Sequence, residues 1–145
     1  MSKHAVNIAR FDELTTGRLY EIMKARFNVF VAEQRCFYPD LDDIDYRSIH
    51  FYIADGPLVI AYARLFADGP REWHVGRMLT TRRRLGLGRA VMTAVIEEAR
   101  QQGAQRLTME AQTHAIGFYE RMGFAVTSEV FEEAGMPHVK MEMQL

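Results

Sequence analysis

The hydrophobic positions in the first third of the chain predict a strand, an amphipathic helix and a loop. The opening segment from Lys3 to Ala9 is a candidate strand. Apolar side chains then recur at three- and four-residue spacing, the period of a helix that buries one face, at Leu19, Ile22, Met23, Phe27, Phe30 and Val31. The polar, acidic stretch from Arg35 to Asp45 interrupts this period, so we expect a loop there.

Three strands are predicted after this loop: Ile49 to Ala54, Leu58 to Ala67, and Glu72 to Leu79. The segments between them are short and carry turn signals, Gly56-Pro57 and Gly69-Pro70. Short turns join antiparallel strands, so the three strands should be antiparallel neighbours in one sheet.

The spacing of the hydrophobic positions changes again after Gly86 and predicts a long helix. Gly103 supplies a stop signal for this helix. The buried stripe of this helix comprises Leu87, Val91, Val95 and Ala99. The remaining elements are a strand, a short helix and two closing strands: Arg106 to Ala111, His114 to Met122, Val126 to Glu132, and His138 to Met143. We expect Gly123 to cap the short helix and Gly135 to lie in the turn between the closing strands.

The predicted order is β-α-β-β-β-α-β-α-β-β, an α/β (α+β) fold with a mixed central sheet flanked by helices. It lacks the strict βαβ alternation of a doubly wound fold. At 145 residues, the chain is expected to form a single domain over residues 1–145.

Composition and charge argue against several functional classes. The formal net charge of −1 gives no general attraction to nucleic acid or to an anionic membrane, and the run Arg82 to Arg84 is too short for a polybasic arm. No apolar run approaches the length of a membrane span, and the five histidines show no metal-ligand spacing. The single cysteine, Cys36, excludes an internal disulfide and fits a reducing compartment. We therefore expect a cytoplasmic protein without a metal and without a nucleic-acid or membrane partner.

The most informative segment runs from Arg83 to Arg89, between a predicted strand and the long helix. Its two glycines, Gly86 and Gly88, allow the backbone to approach a ligand, and the helix after them offers free N–H groups and the positive end of its dipole. These features favour the binding of a pyrophosphate group by this loop. The spacing matches neither the dinucleotide fingerprint nor the P-loop, and two glycines before a helix are also common in ordinary turns.

The pattern Arg83-x-x-Gly86-x-Gly88 resembles the acyl-CoA pyrophosphate loop of the GNAT (Gcn5-related N-acetyltransferase) superfamily. The segment from Phe118 to Phe124, an aromatic pair at the end of a short helix before Gly-Phe, resembles that superfamily's second signature. The predicted element order is also the GNAT order over the whole chain.

Two further segments resemble the ElaA-type subgroup of this superfamily. They are Lys24 to Cys36 with the acidic residues and His50 that follow, and Gln112 combined with Glu129 to His138. This chain has Phe37 and Asp43 where that subgroup is expected to have proline and glycine. The acidic loop is therefore expected to have its own shape here.

The resemblance implies an N-acetyltransferase that uses acetyl-CoA as co-substrate. The strand near Met78 to Thr80 would pair with the pantetheine amides, and a backbone N–H of Met78 or Leu79 would support the oxyanion. The donor-binding residues it implies are Met78, Leu79, Thr80, Arg83, Arg84, Leu85, Gly86, Leu87, Gly88, Arg89 and Gln112.

By the same resemblance, Tyr119 is the candidate general acid for the leaving thiolate, although a tyrosine in this position could also be a core aromatic. The candidate bases are Glu33, His74 and Glu110, and we favour Glu110. Members of the superfamily also exist that use water in place of a side-chain base.

The acceptor site is expected at the first helix and the acidic loop after it. The candidate substrate-binding residues are Arg26, Phe30, Glu33, Gln34, Asp42 and His50. A loop rich in carboxylates favours a cationic small-molecule or peptide amine, unless it is simply solvated. His50 could equally be a structural hydrogen-bonding residue. Cys36 is expected to be a buried or half-buried thiol.

Three other interpretations remain open at this point. The chain could be a non-catalytic acyl-CoA-binding or regulatory module on the same fold. The spacing Arg26-x-x-Val29-Phe30 also resembles the N-terminal part of acyl-homoserine lactone synthases, and a nucleic-acid-binding domain would have to use the Arg82 to Arg84 run. A homodimer is compatible with the resemblance.

Overall fold

The computed structural model describes residues 4–35 and 39–145. Within them the strands are β1 (Asn7–Arg10), β2 (Ile49–Asp55), β3 (Leu58–Ala67), β4 (Glu72–Thr80), β5 (Arg106–Gln112), β6 (Ala125–Val126), β7 (Phe131–Glu133) and β8 (Met136–Gln144). The α-helices of the same residues are α1 (Thr16–Arg26), α2 (Leu87–Gln101) and α3 (Ile116–Met122). The strands form one mixed sheet in the order β1-β2-β3-β4-β5-β8-β6, with β7 paired to β8. The predicted fold class and the antiparallel neighbours β2, β3 and β4 are confirmed.

Helix α1 packs on one face of the sheet and continues directly into a π-helical segment, Phe27–Glu33. The hydroxyl of Thr15 caps its start by accepting the backbone N–H of Arg18 at 3.1 Å. The apolar core on this side consists of Ile22, Ala25, Phe30, Val59, Tyr62 and Leu79. The sequence predicted a regular helix through Val31, and the structure differs because the helix widens after Arg26. π-Helical turns of this kind occur frequently at functional sites.

Helix α2 packs on the opposite face of the sheet. The predicted stripe is buried there, with Val91 and Val95 packed in the main core beside Phe51 and Leu107. Gly103, with φ of +85°, ends this helix, and Gly123, with φ of +110°, ends α3. Among the described residues, no helix is both long and apolar enough to cross a membrane.

Two of the predicted strands differ in the structure. The first strand is shorter and begins at Asn7. The predicted strand from Val126 to Glu132 is divided into β6 and β7, because Thr127 to Val130 leave the ladder while both flanking pieces pair with β8. The prediction for Cys36 lies outside the described residues.

The sheet opens between β4 and β5. These strands pair in parallel only over Glu72–His74 and Arg106–Thr108, after which β5 follows β8 instead. On its other edge, β4 contains a bulge in which Arg77 and Met78 oppose the single residue Ala63. Bulges bend a strand and re-aim its side chains. The separation of β4 from β5 leaves a wedge-shaped opening at the centre of the molecule.

Candidate active site

The opening between β4 and β5 is a cleft of about 1020 Å³. Its walls come from β4, from β5, from the π-helical segment and from the start of α3. A smaller pocket of about 370 Å³ adjoins it at the loop between β4 and α2. The two spaces have five lining residues in common, Met78, Leu79, Thr80, Arg83 and Tyr119. The two therefore form one continuous surface that passes Tyr119.

The smaller pocket is shaped by left-handed backbone in the loop. Gly86 is the N-cap of α2 with φ of +71°, and Arg84 has φ of +61°. Left-handed backbone is strained for a non-glycine residue and clusters at ligand-binding loops. The N–H groups of the first turn of α2 have no partner within the helix, and Leu87, Gly88 and Arg89 of this turn line the pocket, so the groups are available to an anion there. The residues present therefore fit a phosphate group. All predicted donor-binding residues except Gln112 line this pocket.

Gly88 allows close packing beneath this loop. A Cβ atom at Gly88 would lie 3.3 Å from the ring of Phe118 and 3.4 Å from the methyl group of Met78. The first distance is shorter than an ordinary van der Waals contact, and the second lies at its lower limit. The absence of a side chain at Gly88 thus brings α2 close to α3 and β4, whose side chains line the pocket.

Tyr119 lies at the junction of the two spaces and is 9% exposed. Its ring meets Phe118 and Phe124 edge to face, with centroid distances of 5.1 and 6.0 Å. Burial raises the pKa of the Tyr119 hydroxyl to about 12. The hydroxyl therefore stays protonated at neutral pH and is able to donate a proton.

The structure joins two of the three candidate bases. Nε2 of His74 lies 2.8 Å from Oε2 of Glu110, and Nδ1 of His74 lies 2.9 Å from the hydroxyl of Thr108. The hydrogen bond from His74 lowers the pKa of Glu110, although burial acts in the opposite direction. Glu110 is therefore an anion at neutral pH. Glu33, the third candidate, lines the same cleft from the π-helical segment.

Aspartates of the acidic loop form ion pairs with arginines. Asp40 contacts Arg26 at 3.1 Å and Arg77 at 2.9 Å, and Asp42 contacts Arg64 at 2.6 Å. Asp45 contacts both Arg26 and Arg64, at 2.6 and 3.1 Å. Three aspartates are thus balanced by three arginines. The expected negative charge is therefore not free at these three aspartates, because ion pairing neutralises it.

Two of the candidate substrate-binding residues lie in the protein interior. Arg26 and His50 are both 0% exposed and do not line the cleft. Nε2 of His50 lies 2.9 Å from the carbonyl of Asp45, which can only accept, so Nε2 carries the proton and Nδ1 accepts from the hydroxyl of Tyr62 at 2.6 Å. Burial also lowers the pKa of His50. Their positions do not support direct contact with an acceptor, and they stabilise the acidic loop instead.

The other four candidates, Phe30, Glu33, Gln34 and Asp42, line the cleft. Gln34 accepts a hydrogen bond from the side chain of Gln112 at 2.9 Å, and this bond links the π-helical segment to the end of β5. Gln112 in turn lies 2.6 Å from Nε2 of His114. The predicted acceptor and donor residues therefore meet at Gln112.

The sequence prediction overlooked the roles of Arg64 and Arg77. Arg64 is 3% exposed and interrupts the apolar run of β3, which was a readable signal that a buried carboxylate must accompany it. Arg77 is the bulge residue of β4, with φ of +53°, and its side chain reaches the acidic loop. Asp43, where the ElaA-type pattern has glycine, is also left-handed, with φ of +68°. The loop thus keeps a glycine-like conformation without a glycine.

The ion pairs of Asp42 with Arg64 and Arg77 make the stability of the protein depend on pH. Partial burial works against ionisation, but Arg64 and Arg77 outweigh it and hold the pKa of Asp42 at about 2, below its ordinary value of 3.8. A lowered folded-state pKa stabilises the fold above pH 4, and this stabilisation is lost as pH falls toward 2. Urea unfolding should show Asp42→Asn to be about 1 kcal/mol less stable than the parent protein at pH 6. The difference should shrink by pH 2.5, and a difference that is constant with pH would contradict this origin.

Comparison with known sequences places these features in a wider group. A family model described as an acetyltransferase (GNAT) domain matches residues 15–145. A UPF0039 protein of Schizosaccharomyces pombe is 36% identical over 141 residues, which cover 93% of each chain. Protein ElaA of Escherichia coli is 30% identical over 140 residues, which cover 92% of each chain.

Solved structures agree with the sequence comparison. Escherichia coli ElaA has a TM-score of 0.91 at 28% identity, covering 97% of this chain and 99% of that one. An acyl-CoA N-acyltransferase from Pseudomonas aeruginosa has a TM-score of 0.88 at 28% identity, covering 96% and 99%. The AHL synthase LasI has a TM-score of 0.81 at 17% identity, covering 99% and 91%, and this likeness shows the fold alone.

Proposed function

Because this chain belongs to the GNAT acetyltransferase family, we propose that it transfers an acetyl group from acetyl-CoA to a primary amine of a small molecule or peptide. The observation that carries the proposal is the position of Tyr119. It lines both the anion-binding pocket and the cleft between the parted strands. A thioester held between the two would meet a proton donor at their junction.

The donor half of the site is built from backbone groups. The loop Arg83–Arg89 and the first turn of α2 hold the pyrophosphate through N–H groups and the helix dipole. Beyond His74, the edge of β4 that faces β5 has no strand partner among the described residues. The backbone groups of Met78 to Thr80 on this edge pair with the pantetheine amides. The N–H of Met78 or Leu79 supports the oxyanion, an interaction worth roughly 3–4 kcal/mol.

Proton transfer is divided between two side chains. Glu110 takes a proton from the acceptor ammonium and releases it to solvent, which leaves a neutral amine to attack the thioester carbon. As the tetrahedral intermediate collapses, the hydroxyl of Tyr119 protonates the departing sulfur. Tyr119 then regains a proton from the new amide nitrogen, so protons balance over the reaction.

The acceptor half of the cleft favours a cationic amine for a different reason from the one the sequence suggested. Asp40, Asp42 and Asp45 are neutralised by arginines, but Glu33 and Glu110 line the cleft wall and form no ion pair with an arginine or lysine among the described residues. A polyamine, an aminoglycoside or a lysine-like amine carries the charge that such a wall attracts.

The test is amine-dependent release of the coenzyme A thiol. Purified protein is incubated with acetyl-CoA and, separately, with spermidine, kanamycin, a lysine peptide and S-adenosylmethionine. Thiol release that requires one of the first three supports the proposal. Binding of acetyl-CoA without thiol release for any acceptor favours a non-catalytic acyl-CoA-binding module. Release only with S-adenosylmethionine would instead indicate chemistry like that of the lactone synthases.

A further inference from the structure

His74 and Thr108 form the last registered pair between β4 and β5, at the point where the two strands part. We propose that His74, locked by Thr108, is a positioning residue that fixes the Glu110 carboxylate at the mouth of the cleft. This inference rests on the proposed function, since Glu110 there serves as the base. His74 does not itself contact the acceptor in this role.

The hydrogen bonds determine how the imidazole of His74 is protonated. A glutamate anion can only accept, so Nε2 of His74, 2.8 Å from Oε2 of Glu110, carries a proton. Nδ1 of His74 lies 2.9 Å from the hydroxyl of Thr108, which is able to donate or to accept a hydrogen bond. The ring also packs against Phe66, with a centroid distance of 5.2 Å. These three contacts fix the orientation of the imidazole.

The hydrogen bond from His74 occupies one carboxylate oxygen of Glu110, and the other oxygen remains available to accept a proton. Among the described residues, Oε1 of Glu110 has no hydrogen-bond partner, and Glu110 lines the cleft. The acceptor proton moves from the ammonium nitrogen to Oε1, which yields a neutral amine and a neutral carboxyl group. His74 keeps its hydrogen bond to Oε2 throughout.

The surroundings of Glu110 keep it ionised. His74 faces it from β4, and from β8 it faces Lys140, its cross-strand partner, and His138. The neighbours are therefore neutral or positive, and they lower the pKa of Glu110, with the hydrogen bond from His74 as the first cause. Loss of His74 would remove the fixed orientation and the largest cause of the lowered pKa of Glu110.

The test observes the two groups directly by NMR of the full chain, so that no acceptor is needed. Histidine nitrogens are labelled with ¹⁵N and glutamate carboxyl carbons with ¹³C, and Glu110 is assigned by comparison with Glu110→Gln. At pH 7 the parent protein should show His74 protonated on Nε2. His74→Phe keeps an aromatic ring against Phe66 and should raise the pKa of Glu110 toward its ordinary value.

Thr108 provides a matched pair of variants. Thr108→Val keeps the shape of the side chain without the hydroxyl, so the imidazole of His74 should turn more freely and the pKa of Glu110 should rise part of the way toward its ordinary value. Thr108→Ser keeps the hydroxyl and should keep the parent pKa of Glu110. An unchanged Glu110 titration in folded His74→Phe overturns the inference. So does His74 of the parent protein protonated on Nδ1 but not on Nε2, an observation that does not depend on any variant folding.

Calorimetry with acetyl-CoA on the same samples distinguishes a failure of the proposed function from a failure of the positioning role of His74. His74 lies outside the smaller pocket, so His74→Phe and Thr108→Val should bind acetyl-CoA within about threefold of the parent protein. A parent protein that shows the expected NMR signals but does not bind acetyl-CoA would refute the proposed function. A protein that binds acetyl-CoA but shows a His74-independent Glu110 would refute only the positioning role.

Discussion

Replacing Tyr119 with phenylalanine is expected to slow acetyl transfer by a factor of roughly 10²–10⁴. The affinity for acetyl-CoA should remain close to that of the parent protein. Phenylalanine keeps the ring that packs against Phe118 and Phe124, so the core around α3 should be preserved. Only the hydroxyl at the junction of the cleft and the donor pocket is lost.

The raised pKa of Tyr119 is consistent with this role. At a pKa of about 12 the hydroxyl does not ionise in the physiological range, so it is always available as a donor. A free thiolate is a weaker base than the phenolate of such a tyrosine, which would make full proton transfer unfavourable in water. In a site that is shielded from water, the thiolate is destabilised as well, and this reduces the mismatch.

The measurement is single-turnover transfer to the amine identified by thiol release, with acetyl-CoA affinity determined by calorimetry. Tyr20→Phe is the matched control, because Tyr20 is 66% exposed on α1 and does not line the cleft or the smaller pocket. It should behave as the parent protein. If Tyr119→Phe transferred acetyl groups at the parent rate, Tyr119 would have no part in the chemical step.

The second large effect is expected for Gly86→Glu, which should weaken acetyl-CoA binding at least about 100-fold from a micromolar starting point. A Cβ atom at Gly86 would have no neighbour within 4 Å, so the new side chain does not collide with the protein. It instead places a negative charge and bulk where the pyrophosphate is proposed to bind. The left-handed backbone at this position costs about 1 kcal/mol for a residue with a side chain.

The fold of Gly86→Glu should survive, because a carboxylate at the N-terminus of α2 interacts favourably with the helix dipole. Gly86→Asn separates charge from backbone strain, since asparagine tolerates the left-handed conformation and is neutral. It should retain most of the affinity. Calorimetry and thermal melting of all three proteins are compared. Parent-like affinity in Gly86→Glu would move the donor site away from this loop.

The sequence alone determined the elements and the family. Helix α2, strands β2 to β5 and the stops at Gly103 and Gly123 were readable because hydrophobic period and turn residues are local properties. The resemblance to the GNAT superfamily, carried by two short motifs, and to its ElaA-type subgroup, carried by two further segments, is confirmed by the family match and by ElaA itself. Nearly all predicted donor residues were contiguous in the chain, so their clustering in one pocket needed little tertiary information.

Only the tertiary structure decided the charge and the chemistry of the acceptor side. Asp40, Asp42 and Asp45 looked like a negative loop because their arginine partners lie 14 to 37 residues away in the sequence. His74 and Glu110 were separate candidates until the parallel register of β4 and β5 brought them to 2.8 Å. Such pairings depend on strand register and on the bulge at Arg77, and no local pattern in the sequence specifies either. Ion pairing between distant segments therefore determines which charges remain available to a substrate.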